Sequence, residues 1–367
     1  MVSKHVSSQR AITRREFVRD CPLAAVGLAA FIKSANAQTV SSQPLNFNEN
    51  MEYRRLGKTG LMVSAVCLGG HWKRIGSVID GISESTGWSD AVLDHPGFIQ
   101  NRRDIVTACI ESGINYIDAC TGREVLAYSA ALKGRRDKMF LGYSWAEKES
   151  RFKEYRSASK LLQGLDEGLK AAGLDYVDLW RITCLEQGGE HTYNESEEVV
   201  AALDTAKKQG KARFTGVSSH DRRWLKWMVR EYPTQIEVIL TPYTAKTKVL
   251  PEESLFDEVR KQDVGVFGIK PFASNSLFKG NSARNDPSVE EDDERARLAV
   301  RYILGNPSIT APIPGLVSRQ QVENMVRAVK DRRQLDTKET TTLRNAAAEA
   351  WARLPAEYQW LKDWEYV

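Results

Sequence analysis

The chain has 367 residues, with 52 Lys and Arg against 48 Asp and Glu, a formal net charge of +4 and 42% hydrophobic residues. That length suits one large domain with a sizeable core. The charge excess lies in the first 37 residues, where Lys4, Arg10, Arg14, Arg15, Arg19 and Lys33 outnumber Glu16 and Asp20; beyond them 46 basic and 46 acidic residues remain, and so balanced a body excludes an electrostatic nucleic-acid or membrane-surface partner.

The N-terminus reads as an export signal. Thr13-Arg14-Arg15-Glu16-Phe17-Val18-Arg19 has the paired arginines, the following Phe and the basic residue of the bacterial twin-arginine route. An apolar run from Leu23 to Ile32 follows, and Ala35-Asn36-Ala37 is an A-x-A cleavage site. The run falls short of the roughly 20 apolar residues that span a bilayer, so no stable membrane anchor is expected. Cys21 stands at its start, which argues against a lipid-anchored N-terminus. The expected organisation is a signal over residues 1–37, a Ser-, Asn- and Gln-rich tether over 38–50 and a folded domain over 51–367. The expected partner is the twin-arginine export machinery, and the expected location is the periplasm, reached in the folded state.

Within the domain, residues 53–63 predict a hairpin, with Gly57 and Gly60 at its turn. Short β-branched runs predict strands over 64–68, 114–118, 139–143, 177–182, 212–217, 236–240, 264–269 and 309–313. Amphipathic stretches between them predict helices over 158–172, 196–209, 222–231, 255–261 and 295–304. Eight strand–helix units make the α/β class and a (β/α)8 TIM barrel the expected fold, with an N-terminal hairpin under the floor and a C-terminal helical extension. An open doubly wound sheet is the competitor, but no G-x-G-x-x-G turn follows the first strand.

A barrel places its chemistry at the C-terminal ends of its strands. The residues there include His71, Asp118, Tyr143, Ser144, Thr183, Ser218, Ser219, His220, Tyr243 and Lys270. His71, in Gly69-Gly70-His71-Trp72, is either an acid–base group or a loop residue packed on Trp72. Tyr143 is either a proton donor or a packed wall. His220 reads chiefly as a cap for the helix that starts at Asp221. The acidic run Glu290 to Glu294, followed by Arg295 and Arg297, reads as a solvated helix start. Cys67, Cys109, Cys120 and Cys184 have no C-x-x-C spacing, so no metal site is indicated. Trp351, Trp360 and Trp364 lie in a C-terminal segment expected to cross the barrel mouth.

Several of these motifs resemble the aldo/keto reductases. Residues 53–64 resemble the opening hairpin of that family, Gly113-Ile114-Asn115-Tyr116-Ile117-Asp118-Ala119 its second strand, and residues 210–219 its fifth. Lys270-Pro271-Phe272-Ala273 and the stretch from Ile313 to Asn324 resemble its cofactor-binding end. The resemblance implies hydride transfer from NADP or NAD to a small polar carbonyl substrate. It places Ser218 and Ser219 on the nicotinamide carboxamide, Tyr243 stacked on the ring, and Lys270, Ser274 and Asn275 along the pyrophosphate. Gly315, Ser318, Gln320, Gln321 and Asn324 would surround the adenosine, with Arg319 meeting a 2′-phosphate.

The catalytic end departs from the family pattern. Asp118 matches the family Asp, but the Tyr that should follow it is missing from Asp118-Ala119-Cys120-Thr121-Gly122. Ser144 stands where a Lys is expected and Thr183 where a His is expected. Asp118 then needs another cation, for which Lys270, Arg123 and Arg181 are the candidates. Asp118, His71 and Tyr143 are the catalytic candidates. The first functional expectation is an oxidoreductase acting on a polar carbonyl or hydroxyl compound of sugar type. The second is a non-catalytic descendant that binds a ligand or partner in the old pocket.

Overall fold

A computed structural model describes residues 43–82, 91–184, 191–247, 254–283, 285–331 and 333–362. The export signal, the start of the tether and Trp364 lie outside the described residues. The chain divides into two units, Met1–Ser42 and Gln43–Val367, and every described residue belongs to the second.

The hairpin forms as its sequence predicts. β1 (Tyr53–Arg55) pairs antiparallel with β2 (Met62–Ser64). Its turn requires glycine: Gly57 has φ +48°, and a Cβ there would sit 2.3 Å from the Gly265 amide nitrogen. Lys58 N donates to Asp263 O at 2.6 Å, and the Arg55 guanidinium pairs with the Asp263 carboxylate at 2.7 Å. The hairpin is thereby fastened beneath the strand that begins at Gly265.

Seven parallel strands follow in chain order: β3 (Tyr116–Ala119), β4 (Phe140–Tyr143), β5 (Val177–Thr183), β6 (Ala212–Ser218), β7 (Val238–Pro242), β8 (Gly265–Ile269) and β9 (Ala311–Pro312). Residues 65–69 take the eighth place. They bridge to β3 through Leu68 and Ile117 and reach past β9 through Gly69 and Gly315. Asp118 N donates to Leu68 O at 2.9 Å on one side, and Cys67 N to Pro312 O at 3.1 Å on the other, so the sheet closes. The outer jacket comprises α1 (Pro96–Glu111), α2 (Gly122–Ala131), α3 (Ala158–Ala172), α4 (Tyr193–Lys208), α5 (Arg222–Glu231), α6 (Leu255–Lys261), α7 (Val289–Leu304) and α8 (Arg319–Lys330). α9 (Thr337–Ala352) and a 3-10 turn (Ala356–Lys362) extend the chain beyond them. α7 starts with Glu290, Glu291 and Asp292 in its first turn, as the acidic run predicts.

The period of two along a strand divides the core. Tyr116, Leu179, Val238, Leu240, Phe267 and Ala311 fill the barrel interior. Their neighbours Ile117, Leu141, Tyr143, Trp180, Ile239 and Val266 face the helices. On the inward side, Asp118, Arg181, Thr183 and Ser218 reach the mouth. Cys67, Cys109, Cys120 and Cys184 are all free thiols. Among the described residues no helix is long and apolar enough to cross a membrane, and no cluster of His, Cys, Asp and Glu is placed to hold a metal.

Candidate active site

The floor of the mouth is an ion pair. Arg181 on β5 donates from Nε to Asp118 Oδ1 at 3.1 Å and from Nη2 to Oδ2 at 2.5 Å, a bidentate fork between two buried residues. Of the three cations the sequence offers for Asp118, Arg181 takes the role. It sits two residues before Thr183 and so shares that residue's inward face. Arg181 Nη1 also donates to Thr183 Oγ1 at 2.8 Å, and Thr183 Oγ1 lies 2.7 Å from Ser144 Oγ.

Glu149, which the sequence reading did not single out, completes this network from the loop after β4. Its carboxylate accepts from Thr183 N (2.6 Å), Trp145 N (3.0 Å), Trp180 Nε1 (3.2 Å) and Ser144 Oγ (2.5 Å). Burial pushes the Glu149 carboxyl above the usual range, against the pull of these donors and of Arg181. Ser144 and Thr183 are thus hydrogen-bonded structure at the positions where Lys and His were expected.

His71 lies on the mouth's rim with φ +57°. Its Nδ1 is 2.7 Å from Glu124 Oε1, and its amide donates to the same oxygen at 2.5 Å. Glu124 is fully buried at the third position of α2, where it also accepts from Cys120 N (2.7 Å) and closes a capping box with Thr121. Burial raises the Glu124 carboxyl, but His71 and the amides outweigh it and the net shift is downward. The sequence alternative of a His packed on Trp72 gives way to a His held by a buried carboxylate.

Above this floor opens a cavity of about 330 Å³, a size suited to small molecules. Asp118, Arg181, Cys120, Ser218, Ser219, His220 and Lys270 line it. A second, narrower cavity of about 70 Å³ runs outward beside the start of α8 and is lined by Ser318, Gln320, Gln321 and Asn324. The two share His71, Lys73, Phe272, Asn275 and Gly315, so they form one bent cleft. The loop after β8 is conformationally costly: Lys270, Ala273, Ser274 and Asn275 all have positive φ, at roughly 1–3 kcal/mol each. Such strain is common where a chain shapes a ligand site.

Comparison with known proteins decides the family. The Aldo/keto reductase family model matches residues 99–296. The chain belongs to the aldo/keto reductase family. It is similar to L-galactose dehydrogenase of Arabidopsis thaliana, 27% identical over 77% of this chain and 89% of that one. It is also similar to L-glyceraldehyde 3-phosphate reductase of Escherichia coli K12, 23% identical over 77% of this chain and 88% of the other. An aldo-keto reductase from Bacillus halodurans, solved in its holo form, superposes with a TM-score of 0.59 at 22% identity, covering 81% of this chain and 96% of that one, and shows the same fold. The protein is accordingly an NAD(P)-dependent oxidoreductase with a small-molecule substrate.

As a site for an aldo/keto reductase cofactor, the bent cleft fits a nicotinamide dinucleotide. A Cβ on Gly315 would lie 2.2 Å from Gly70 O, so only glycine keeps this junction of the two cavities. Ser218, Ser219, Lys270, Ser274 and Asn275 line the wider cavity; Gly315, Ser318, Gln320 and Asn324 line the narrower one. Three expectations are corrected. Tyr243 lies on the outward side of β7, its hydroxyl accepting from Asn306 Nδ2 at 3.1 Å and its ring edge-on to Phe256, so it cannot stack on a ring in the cleft. Tyr143 also points outward, where its hydroxyl would meet a Cβ on Gly168 at 1.8 Å, and burial raises its pKa further. Arg319 turns to solvent and pairs with Glu111 (3.0 Å) and Glu323 (3.3 Å), away from the narrow cavity.

The C-terminal 3-10 turn supplies what those residues do not. Trp360 lines the wider cavity and stacks on His220, with centroids 4.3 Å apart and planes 17° from parallel. His220 therefore does not cap α5; Asp221 does, accepting from Arg223 N and Trp224 N. Burial, with Lys270 and Arg151 nearby, holds His220 well below the usual imidazole range. Tyr358 lines the same cavity, with Lys73 Nζ donating to its hydroxyl at 3.0 Å. No motif drew attention to Tyr358, which follows the last residues that resemble the family.

Proposed function

We propose that this chain is an exported aldo/keto reductase that interconverts a polar carbonyl and its hydroxyl form, on a compound of sugar type. The single observation that carries this reading is the joining of the two cavities at Gly315, which leads one bent cleft from the start of α8 to the Asp118–Arg181 pair. The names of two relatives, for L-galactose and for L-glyceraldehyde 3-phosphate, support the substrate class.

A nicotinamide cofactor, when bound, supplies or accepts the hydride. Ser218 and Ser219 would hold and orient the carboxamide end and Asn275 would lie along the pyrophosphate, while Ser274 is engaged by Lys73. Asp118 and Arg181 present a fixed, paired charge at the floor of the cavity, and Trp360 forms one of its walls, stacked on His220. The family's catalytic pattern survives here only in Asp118; Ser144 and Thr183 serve the packing of Glu149 and Arg181 instead.

The export reading rests on the order of Arg14-Arg15, the apolar run and Ala35-Asn36-Ala37. Residues 1–37 are removed at Ala37, residues 38–50 form a tether, and the barrel of residues 51–367 acts in the periplasm. Export by the twin-arginine machinery allows the barrel to leave already folded and loaded. One experiment covers both parts. Full-length chain expressed in a Gram-negative host yields periplasmic protein that reduces DL-glyceraldehyde with NADH or NADPH, and a variant with Arg14→Lys and Arg15→Lys keeps the activity in the cytoplasm. Periplasmic delivery of the double variant contradicts the export route, and an inactive wild type contradicts the reaction.

A further inference from the structure

Carbonyl reduction needs an acid as well as a hydride; of the groups expected to supply it, His71 stays on the cavity rim, tied to the buried Glu124, and Tyr143 is displaced. Tyr143 faces the helices. Thr183 and Ser144 are committed to Arg181, Glu149 and each other. Cys120 lines the cavity, but burial raises its thiol. His220 is held in its neutral form by burial.

Tyr358 meets the chemical requirements. It lines the same cavity as Asp118 and is 9% exposed. Lys73 Nζ donates to its oxygen at 3.0 Å while also donating to Ser274 Oγ at 2.9 Å, which fixes the ammonium between them. Lys73 and Lys270 lie 4.6 and 5.3 Å from the centre of its ring. Its turn is seated by Leu354, Leu361 and Ala273. The charged and titratable groups that share its cavity are Lys73 and His71 after residues 65–69, Asp118 and Cys120 at the end of β3, Arg151 after β4, Arg181 and Cys184 on and after β5, His220 after β6, Lys270 after β8, and Glu357 on its own turn. Cations outnumber acids there, which eases ionisation of the phenol.

We propose that Tyr358, brought to the mouth by the C-terminal segment, is the catalytic acid and base of this enzyme. The inference rests on the oxidoreductase reading above. In reduction the carbonyl carbon takes up hydride, the π pair moves to oxygen, and that oxygen takes the proton from Tyr358 Oη. The phenolate so formed faces Lys73 and Lys270 and regains its proton from water. In oxidation the phenolate removes the hydroxyl proton as hydride leaves the carbon. Burial alone raises the Tyr358 pKa, but Lys270, Ser274 and Lys73 outweigh it and bring it below the usual phenol range. Oxidation therefore gains rate with rising pH through a transition below that of an ordinary tyrosine, because the phenolate is the active form.

The test compares full-length wild type, Tyr358→Phe and His71→Gln in NADH-dependent reduction of DL-glyceraldehyde and NAD-dependent oxidation of glycerol across pH. Tyr358→Phe is expected to lower kcat roughly 100-fold or more, with KM little changed, and to lose the alkaline rise in oxidation. Phenolate absorbance supplies a readout that needs no substrate. Wild type minus Tyr358→Phe shows one phenol titrating below the usual range, and Lys270→Met moves it upward. An active wild type whose Tyr358→Phe variant stays within about threefold overturns the proposal, as does a Tyr358 that titrates like an ordinary phenol. Loss of the pH limb in His71→Gln alone transfers the role to the His71–Glu124 pair. A wild type inactive toward both probes, with its phenol still titrating low, rejects the oxidoreductase reading and the catalytic role with it, while leaving the electrostatics of Tyr358 in place.

Discussion

The two arms of the bent cleft have changed to different degrees. In the outer arm, Gly315, Ser318, Gln320 and Asn324 line a narrow cavity of about 70 Å³. In the inner arm the motif positions carry Cys120, Ser144 and Thr183, and the space beneath the mouth is taken by a buried network running from Asp118 through Arg181 and Thr183 to Ser144 and Glu149. A binding arm is constrained by the shape of its ligand along its whole length. A centre for carbonyl reduction needs an acid and a hydride donor within reach, and an acid can arrive from another part of the chain. The difference teaches that the floor of such a barrel can be a hydrogen-bonded network, and under the proposal above the reactive group then comes from the C-terminal turn.

If the floor is structural, removing one partner of its ion pair produces the largest effect. Arg181→Met leaves the Asp118 carboxylate buried without its counter-charge, and the expected loss is about 3–5 kcal/mol of folding stability. Denaturant unfolding measures it, and a loss below about 1 kcal/mol places the pair outside the stabilising network.

A smaller effect sharpens the same point at Glu149. Three N–H groups donate to its two oxygens, Thr183 to one and Trp145 and Trp180 to the other. In Glu149→Gln the amide must point its own hydrogens at one of these donors, at a cost of about 1–3 kcal/mol. The pH dependence has a definite sign. The folded Glu149 carboxyl is raised above its unfolded value, so the stability it contributes is fully present below the unfolded pKa and is lost as pH rises through the folded one. The stability gap between wild type and Glu149→Gln therefore narrows with rising pH in that window, and a gap that widens contradicts the assignment.

Much of the barrel is legible in the sequence because β-branched runs and glycine-ended helices carry a local signal. The helices at 158–172, 222–231 and 255–261 have the bounds their patterns predict. α1 and α2 have weaker patterns and escape notice, and α9 falls in the expected C-terminal helical extension without predicted bounds. Within the site, legibility follows the period of two. Asp118 and Ser218 are inward residues, and their motifs place them at the mouth. Tyr143 and Tyr243 are near the right ends of their strands but on the outward faces, one residue out of phase with Gly142 and Pro242. Arg181 is in phase with Thr183, but no motif marks it. Glu149 and Tyr358 reach the site from a loop and from the C-terminal turn, so their proximity to Asp118 is a property of the closed barrel and not of any local spacing.

The central claim is that the outer arm still binds a nicotinamide dinucleotide while the inner arm has been rebuilt, and calorimetric titration of the purified chain with NADH and NADPH tests it most directly. Asp286, Asp292 and Asp293 outnumber Lys73 and Arg74 in the lining of the narrow cavity, and Arg319 faces away from it, so a 2′-phosphate meets an excess of like charge there. The account predicts about one nucleotide bound per chain, NADH tighter than NADPH by roughly tenfold or more, binding lost in Gly315→Val and retained in Tyr358→Phe. Absence of binding heat with either nucleotide, or binding that Gly315→Val leaves intact, contradicts it.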